Sequence, residues 1–342
     1  MSFAHFPEPS HVPLRGGPVL RWGVLAPGAI AHDWVTTLHA NTDQRVVAVA
    51  SRTAERAEAF AARHGIPRSY GAYAALVADP EVDVVYIAAP HSEHRALALL
   101  AIDAGNHVLI EKPIAVSAAQ AAEIALAART AGVFAMEAMW SRFLPQTTII
   151  RRLLDDGALG EPFGAAATFA GRFDDDPHSR AFDPALGGGG LLDLGVYTVW
   201  WLHFTLGGSP SSISASGELA PTGVDADARV VLGWGADVSG SSFTSMTTDL
   251  PIVGSVTGRD GLSIVAEPFV APGRFRIERA GGGAAHWEDE TELRWRDGLA
   301  YQAAAVASHI AEGRTEAPEH PLQTSIEVLG VIDEARRQLG AA

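Results

Sequence analysis

Cysteine is absent from the 342 residues, which excludes disulfides, thiolate nucleophiles and cysteine-ligated zinc or iron–sulfur centres. Basic residues are scarce: 25 Lys and Arg stand against 40 Asp and Glu, a formal net charge of −15. A chain so acidic is poorly suited to nucleic acid or an anionic membrane as its main partner, since both call for basic surface. A phosphorylated ligand would need a local pocket of basic side chains or backbone amides. The first 20 residues hold no apolar run long enough for a secretory core or a membrane helix. They carry Pro7, Pro9, Pro13, Pro18 and the pair Gly16-Gly17, and read as an arm, mobile or draped on a neighbour. Internal repeats and low-complexity linkers are also lacking. What remains is 47% hydrophobic and 19% charged, an ordinary globular composition on a chain too long for one core, so two domains are expected. The lack of cysteine suits a cytoplasmic setting.

The stretch Asn106–Ile114 organises the chain. Val108, Leu109 and Ile110 have the character of a strand covered on both faces, and they run into Glu111-Lys112-Pro113. Such a strand ends where its sheet opens to a ligand, and Pro113 pushes Lys112 away from helical geometry, so the ammonium is held at the strand's carboxyl end. Before it, Leu20–Leu25 leads into Ala26-Pro27-Gly28-Ala29-Ile30-Ala31 and a helix to about His39. A strand, a tight turn and a helix form a dinucleotide-binding opening, with amides at the helix start, those of Ala29 and Ile30, facing a pyrophosphate. Of its three small positions only the middle one, Gly28, is glycine. Arg45–Ala50 reads as a second strand and ends at Ser51-Arg52, where an acidic residue would hold the ribose of NAD; a hydroxyl and a guanidinium suit the 2′-phosphate of NADP. Thr53 caps a helix that Gly65 ends. Val82–Ala89 is a buried strand stopping at Pro90-His91-Ser92, followed by a helix from about Glu93 to Ala104. Ser117 and Gln120 form a capping box for a helix ended by Gly132, and Val133–Met136 is a last strand. This alternation implies a parallel sheet with right-handed crossovers.

In this order Ala26–Ala31, Ser51-Arg52, Pro90-His91-Ser92-Glu93-His94 and Glu111-Lys112-Pro113 resemble the Gfo/Idh/MocA family of NAD(P)-dependent oxidoreductases. The resemblance implies an α/β chain: a doubly wound parallel Rossmann sheet followed by an α+β domain with an open, largely antiparallel sheet. It assigns Ala26, Gly28, Ala29, Ile30, Ser51, Arg52, Pro90, His91, His94, Glu111 and Lys112 to the cofactor, NADP first and NAD as the alternative. The expected division is an arm over 1–19, a Rossmann domain over 20–140, and a substrate-binding and oligomerisation domain over 141–342, whose last helix is free to pack back on the first domain.

Past the boundary, the segment from Glu137 through Trp140, Arg142 and Pro145 looks like the branch containing glucose–fructose oxidoreductase and dimeric dihydrodiol dehydrogenase. There an aromatic residue lines the substrate pocket, which makes Trp140 and Arg142 substrate-binding candidates; interface packing is the equal alternative for Trp140. Asp174-Asp175-Asp176 reads as a solvated loop, not a metal site, because three consecutive side chains cannot all face one ion without a special loop. The glycines Gly187–Gly190 permit close approach to a ligand or to the other domain, and a helix from about Gly190 would put Asp193 and Tyr197 on one face. Tyrosine at 197 matches the same branch. From Ser211 to about Glu292 six period-2 stretches are expected as antiparallel strands: Ile213–Leu219, Asp227–Trp234, Val238–Met246, Ile252–Thr257, Leu262–Ala266 and Phe275–Glu278. Leu299–Glu312 and Leu322–Leu339 read as helices.

The resulting expectation is an oxidoreductase moving a hydride between nicotinamide and a carbonyl/alcohol of a sugar, polyol or cyclic diol. Lys112, Asp193 and Tyr197 are its catalytic and substrate-contacting residues. Tyr197 exchanges the proton and Lys112 makes the phenol acidic enough to do so; in an alternative assignment the proton belongs to Lys112. An NAD-assisted glycosidase on the same scaffold and a non-catalytic dinucleotide sensor are the competing functions. A homodimer or homotetramer through the second sheet is the expected partner state, with no nucleic acid, membrane or metal.

Overall fold

The computed structural model describes residues 6–174, 176–279 and 281–342. The chain divides into two compact units. One comprises Val12–Phe143 and Trp295–Ile326; the other takes the residues up to His11, Leu144–Arg294 and Glu327–Ala342.

The first unit is built on a parallel sheet. In chain order it contains β1 (Arg21–Leu25), α1 (Ala29–Asn41), β2 (Arg45–Ala50), α2 (Ala54–His64), β3 (Arg68–Tyr70), α3 (Tyr73–Val77), β4 (Val84–Ile87), α4 (His94–Asp103), β5 (His107–Ile110), α5 (Ala118–Ala131) and β6 (Ala135–Glu137). The strand order is β3-β2-β1-β4-β5-β6 and every pairing is parallel. All four residues of β4 and the last three of β5 are shut from solvent, because helices on both faces demand continuous apolar runs rather than alternation. Each such side chain contributes about 1.5–3 kcal/mol by burial. Winding reverses between β1 and β4, so the carboxyl ends of these strands border the crevice where doubly wound folds bind ligands.

The helix stops and starts follow the sequence closely. Thr53 accepts from the Arg56 amide and Gly65 closes α2 at φ +66°; Ser117 accepts from the Gln120 amide and Gly132 closes α5 at φ +68°. Only half of the expected capping box forms, since Gln120 Oε1 is buried with no partner among the described residues. The described part of the arm is fastened to its own chain. Arg15 donates to Asp43 and to the carbonyls of Ala40 and Thr42, while Gln44 donates to the Pro18 carbonyl. Within the other unit, the Phe6 ring meets Phe275 edge-on at 5.1 Å and the Ser10 amide donates to Thr148.

The second unit opens with α6 (Pro145–Asp155) and β7 (Pro162–Ala170). A further helix, α7 (Val196–Leu206), precedes β8 (Ser212–Leu219), β9 (Asp225–Gly233), β10 (Ser239–Ser245), β11 (Val253–Gly258), β12 (Leu262–Glu267), β13 (Arg274–Arg279) and β14 (Ala284–Glu288). The eight strands run β14-β13-β12-β11-β7-β10-β9-β8. One pairing, β7 with β10, is parallel; the others are antiparallel. Helix α7 lies across β7, β10 and β11. Its closeness requires glycine at 254, where a Cβ would stand 2.7 Å from the Trp201 ring, and Trp201 donates its indole N–H to the Ser255 carbonyl. Two helices end the chain, α8 (Leu299–Ala311) and α9 (Leu322–Leu339). Helix α8 packs on α1 in the parallel-sheet unit, and the division between units falls inside α9. Residues 295–326 thus return to the parallel-sheet unit after the first cut at 143/144. Among the described residues no helix is long and apolar enough to cross a membrane.

Candidate active site

At the end of β1 the chain turns through Ala26 at φ +58°. A left-handed alanine carries about 1–2 kcal/mol of strain that glycine would not, so the departure at this position appears as strain and not as a different turn. The Ala26 amide is bonded to the Ala50 carbonyl at 3.0 Å. Gly28 is the N-cap of α1 and no described side chain caps that helix. A Cβ on Gly28 would meet nothing within 4 Å, so packing does not demand glycine there. The open space and the uncapped amides fit a pyrophosphate resting on the helix start.

At the end of β2, Ser51 is buried and its amide donates to the Tyr70 carbonyl, while Arg52 stands exposed. Arg56, also exposed, follows one turn into α2. Burial raises the Tyr73 phenol, and the charges of Arg52 and Arg56 both pull it down. Two guanidinium groups thus share the corner at the end of β2. Sequence reasoning passed over Arg56; its only signal was its place three residues after the cap.

The ends of β4 and β5 are tied together. The His94 ring is fully buried between two carbonyls, with Nδ1 2.8 Å from Pro113 O and Nε2 2.9 Å from Ala89 O. His91, also buried, meets it edge-on at 5.7 Å. Pro90 leads into that turn with extended backbone. Glu111 is buried; Tyr86 donates to its Oε1 at 2.5 Å and the Lys112 amide to its Oε2 at 3.2 Å. Burial pushes the Glu111 carboxyl up, against the pull of the Tyr86 hydrogen bond and of the Lys112 and Arg296 charges. Beyond Pro113, the Ile114 amide donates to Glu137 Oε1 at 2.9 Å, and His320 and Ser325 hold Glu137 Oε2 at 2.8 and 2.7 Å. Burial alone would raise Glu137, yet these bonds hold its carboxyl below the usual range. Lys112 therefore sits between two anchored points, Glu111 and Ile114. Glu137, His320 and Ser325 were not anticipated as a set, because nearly 190 residues separate the strand from the serine and no local spacing records the contact. Trp140 and Arg142 lie in one buried 3-10 turn, with Arg142 Nε donating to the Glu319 carbonyl.

In the mixed-sheet unit, Asp193 and Tyr197 are both buried. They do not share a regular α-helix: Leu191–Gly195 forms a π-turn that continues into α7, a rare geometry that occurs frequently at functional sites. Arg180 Nη2 donates to Asp193 Oδ2 at 3.0 Å, a partner the sequence did not reveal. The Tyr197 ring packs against Phe169 with centroids 5.6 Å apart. The glycines before the turn serve approach by the chain itself: a Cβ on Gly188 would lie 2.6 Å from the Ala181 carbonyl, and one on Gly189 2.5 Å from Asp225 Oδ1. Asp174 and Asp176 are exposed, Asp175 lies outside the described residues, and no metal-holding group occurs among the described ones.

A doubly wound parallel sheet, an uncapped helix start over an open glycine and a lysine anchored at a strand end define an NAD(P)-binding Rossmann oxidoreductase. Residues 20–139 match the oxidoreductase family with NAD-binding Rossmann fold, and residues 148–262 match the GFO/IDH/MocA C-terminal domain. The chain belongs to the Gfo/Idh/MocA family. It is 39% identical over 324 residues to trans-1,2-dihydrobenzene-1,2-diol dehydrogenase of Oryctolagus cuniculus, covering 93% of this chain and 98% of that one. The enzyme of the same name from Homo sapiens is 35% identical over 331 residues, covering 94% and 97%. Among solved structures, a 3-ketoreductase from Actinomadura kijaniata in complex with NADP and TDP-benzene shows a TM-score of 0.80 at 26% identity, over 94% of this chain and 98% of that one. Aldose-aldose oxidoreductase from Caulobacter crescentus has the same fold, with a TM-score of 0.83 at 23% identity over 93% and 97%.

Proposed function

We propose that this oxidoreductase is an NADP-preferring dehydrogenase that interconverts a CH–OH group and a carbonyl in a diol or sugar, with a cyclic trans-diol as the favoured class. The observation that carries the reading is the 39% identity to a trans-dihydrodiol dehydrogenase across nearly the whole of both chains. Preference for NADP is supported by Arg52 and Arg56 at one corner and by the lack of an acidic residue at Ser51-Arg52, since a guanidinium pairs a phosphate bidentately.

Bound NADP supplies the hydride acceptor. The chain's own residues then have separable tasks. Gly28, Ala29 and Ile30 would hold the pyrophosphate through backbone amides, and Pro90, His91, His94 and Glu111 would line the cofactor's edge of the parallel sheet. In this scheme Tyr197 would take the substrate hydroxyl proton and Lys112 would be the cation that favours the ionised phenol. Asp193 orients the substrate hydroxyl and is not the base, because a carboxylate held by Arg180 is a poor one. Trp140 and Arg142 contribute walls to the substrate pocket. Self-association through the mixed sheet is supported by its outward face, on which Phe243, Val253 and Val265 are only half buried and Val231 is exposed. Cytoplasmic residence suits a chain without cysteine.

The direct test follows absorbance at the reduced-nicotinamide band while purified protein meets a panel of trans-diols, polyols and aldoses with NADP or NAD. Net reduction of NADP by a trans-diol supports the reading. Release of a glycosidic leaving group with no net cofactor turnover would favour the NAD-assisted glycosidase, and nucleotide binding without either reaction would favour the sensor.

A further inference from the structure

The residue that fixes the start of the π-turn comes from a different strand. Asp225, the first residue of β9, is 1% exposed, and its Oδ2 accepts from the Leu191 amide at 2.6 Å. Gly190 lies against the same oxygen, where a Cβ would stand 3.3 Å from Oδ2. Asp225 Oδ1 faces Gly189, which at φ +116° leaves no room for a side chain, and no described donor reaches that oxygen. From Gly189 the chain runs into the turn at once: the Asp193 amide donates to the Gly189 carbonyl, and Tyr197 follows in the first turn of α7.

Burying a carboxylate against an amide with one oxygen unsatisfied is a poor way to gain stability. What the arrangement does accomplish is to grip the first amide of the π-turn, two residues before Asp193. We infer that Asp225 is a positioning residue for the reaction: its carboxylate, by holding the Leu191 amide, sets the π-turn Leu191–Gly195 and through it the placement of Asp193 and Tyr197. The inference rests on the role given to Tyr197 above. Burial pushes the Asp225 carboxyl up to about 6, opposed first by the Leu191 amide and then by the charge of Arg336 of α9. The grip is therefore half lost at about pH 6, approaches full strength well above it and fades below it, as the carboxyl takes up a proton.

The test is a double-mutant cycle on the full-length enzyme with NADP and a turned-over diol. Asp225→Asn keeps the shape but not the charge. It is expected to lower kcat roughly 10- to 100-fold, the scale of a displacement near 1 Å at a reacting group, with the dissociation constant for NADP unchanged within twofold. The wild-type fall in kcat as pH drops through about 6 should be missing from the variant. On a Tyr197→Phe background, the same substitution should cost less than threefold, because the group being positioned is gone. A kcat within twofold of wild type in Asp225→Asn overturns the inference, and so does an undiminished loss on the Tyr197→Phe background. Failure of the Tyr197 reading shows separately, as a fall of only a few-fold in the Tyr197→Phe single variant. Should Asp225→Asn not fold, the wild-type pH profile decides: a kcat that does not fall as pH drops through about 6, with the dissociation constant for NADP constant, overturns the inference.

Discussion

Replacing Tyr197 with phenylalanine removes one oxygen and leaves the ring. The side chain is buried against Phe169, and phenylalanine retains that apolar contact, so the variant isolates the hydroxyl. Two roles for that hydroxyl predict different losses. A hydrogen bond that only steadies substrate is worth about 0.5–1.5 kcal/mol, which at 1.4 kcal/mol per factor of ten lowers turnover about tenfold at most. A general acid/base group contributes about 100-fold or more, or at least about 2.7 kcal/mol on the barrier. The assay is the single-turnover rate of NADP reduction under saturating diol, with nucleotide affinity measured by fluorescence quenching. Expected is a fall of about 100-fold or more with nucleotide affinity nearly intact, and loss of the pH dependence that the phenol imposes. A fall of only a few-fold, together with abolition of activity in Lys112→Met, would assign the proton to the lysine and refute the scheme.

Three further outcomes are expected. Ser51→Asp should weaken NADP by roughly tenfold or more through repulsion of the 2′-phosphate while relatively favouring NAD; unchanged NADP kinetics would remove the basis for the preference. Ser325→Ala deletes a 2.7 Å bond to the Glu137 carboxylate; it should cost about 1.5–3 kcal/mol and lower the parallel-sheet unit's melting midpoint by roughly 3–12 °C, seen by calorimetry. Because the folded Glu137 carboxyl is held below its unfolded value, its contribution is present above about pH 4.5 and is lost as pH falls through the lower folded value, so acid should erode the difference between wild type and Ser325→Ala. Sedimentation at micromolar concentration should give a dimer or larger species, and a monomer would mean that the mixed sheet does not self-associate.

The parts of the fold that were legible in the sequence are those set by local physics. Continuous apolar runs such as Val84–Ile87 read as strands because a sheet covered on both faces needs nothing else. Caps and stops at Thr53, Gly65, Ser117 and Gly132 follow from the unsatisfied groups at helix ends. Where local signal was weak, elements went unseen. β3 is three residues long and only half buried, and β7, Pro-Phe-Gly-Ala-Ala-Ala-Thr-Phe-Ala, owes its strand state to neighbours on both sides, not to β-branched content.

The candidate site divides the same way. Lys112 could be placed from its strand and its proline, and Gly28 from its turn, since each lies where one continuous segment ends. The groups that hold these residues in place could not be found so easily. Glu137 meets His320 and Ser325 across more than 180 residues, and Asp225 meets Leu191 across 34. A buried carboxylate is tolerated only when donors meet it, and donors drawn from distant segments leave no period or spacing in the sequence. Their one common trace is an acidic residue with apolar residues on both sides: Glu137 in Phe-Ala-Met-Glu-Ala-Met-Trp, and Asp225 between Val224 and Ala226, although Asp227 follows two residues on. Such a residue stands where burial is enforced by both neighbours, so its charge must be answered from elsewhere in the fold. Read that way, the same pattern marks Glu111, which ends the run Val108-Leu109-Ile110 and is answered by Tyr86 from the adjacent strand. Of these three carboxylates, the hydrogen bonds around Glu137 win against burial and hold its carboxyl down, whereas burial wins at Glu111 and Asp225 and pushes both up. The first is thereby suited to a constant structural load, and Asp225, at about 6, to a role that responds to pH.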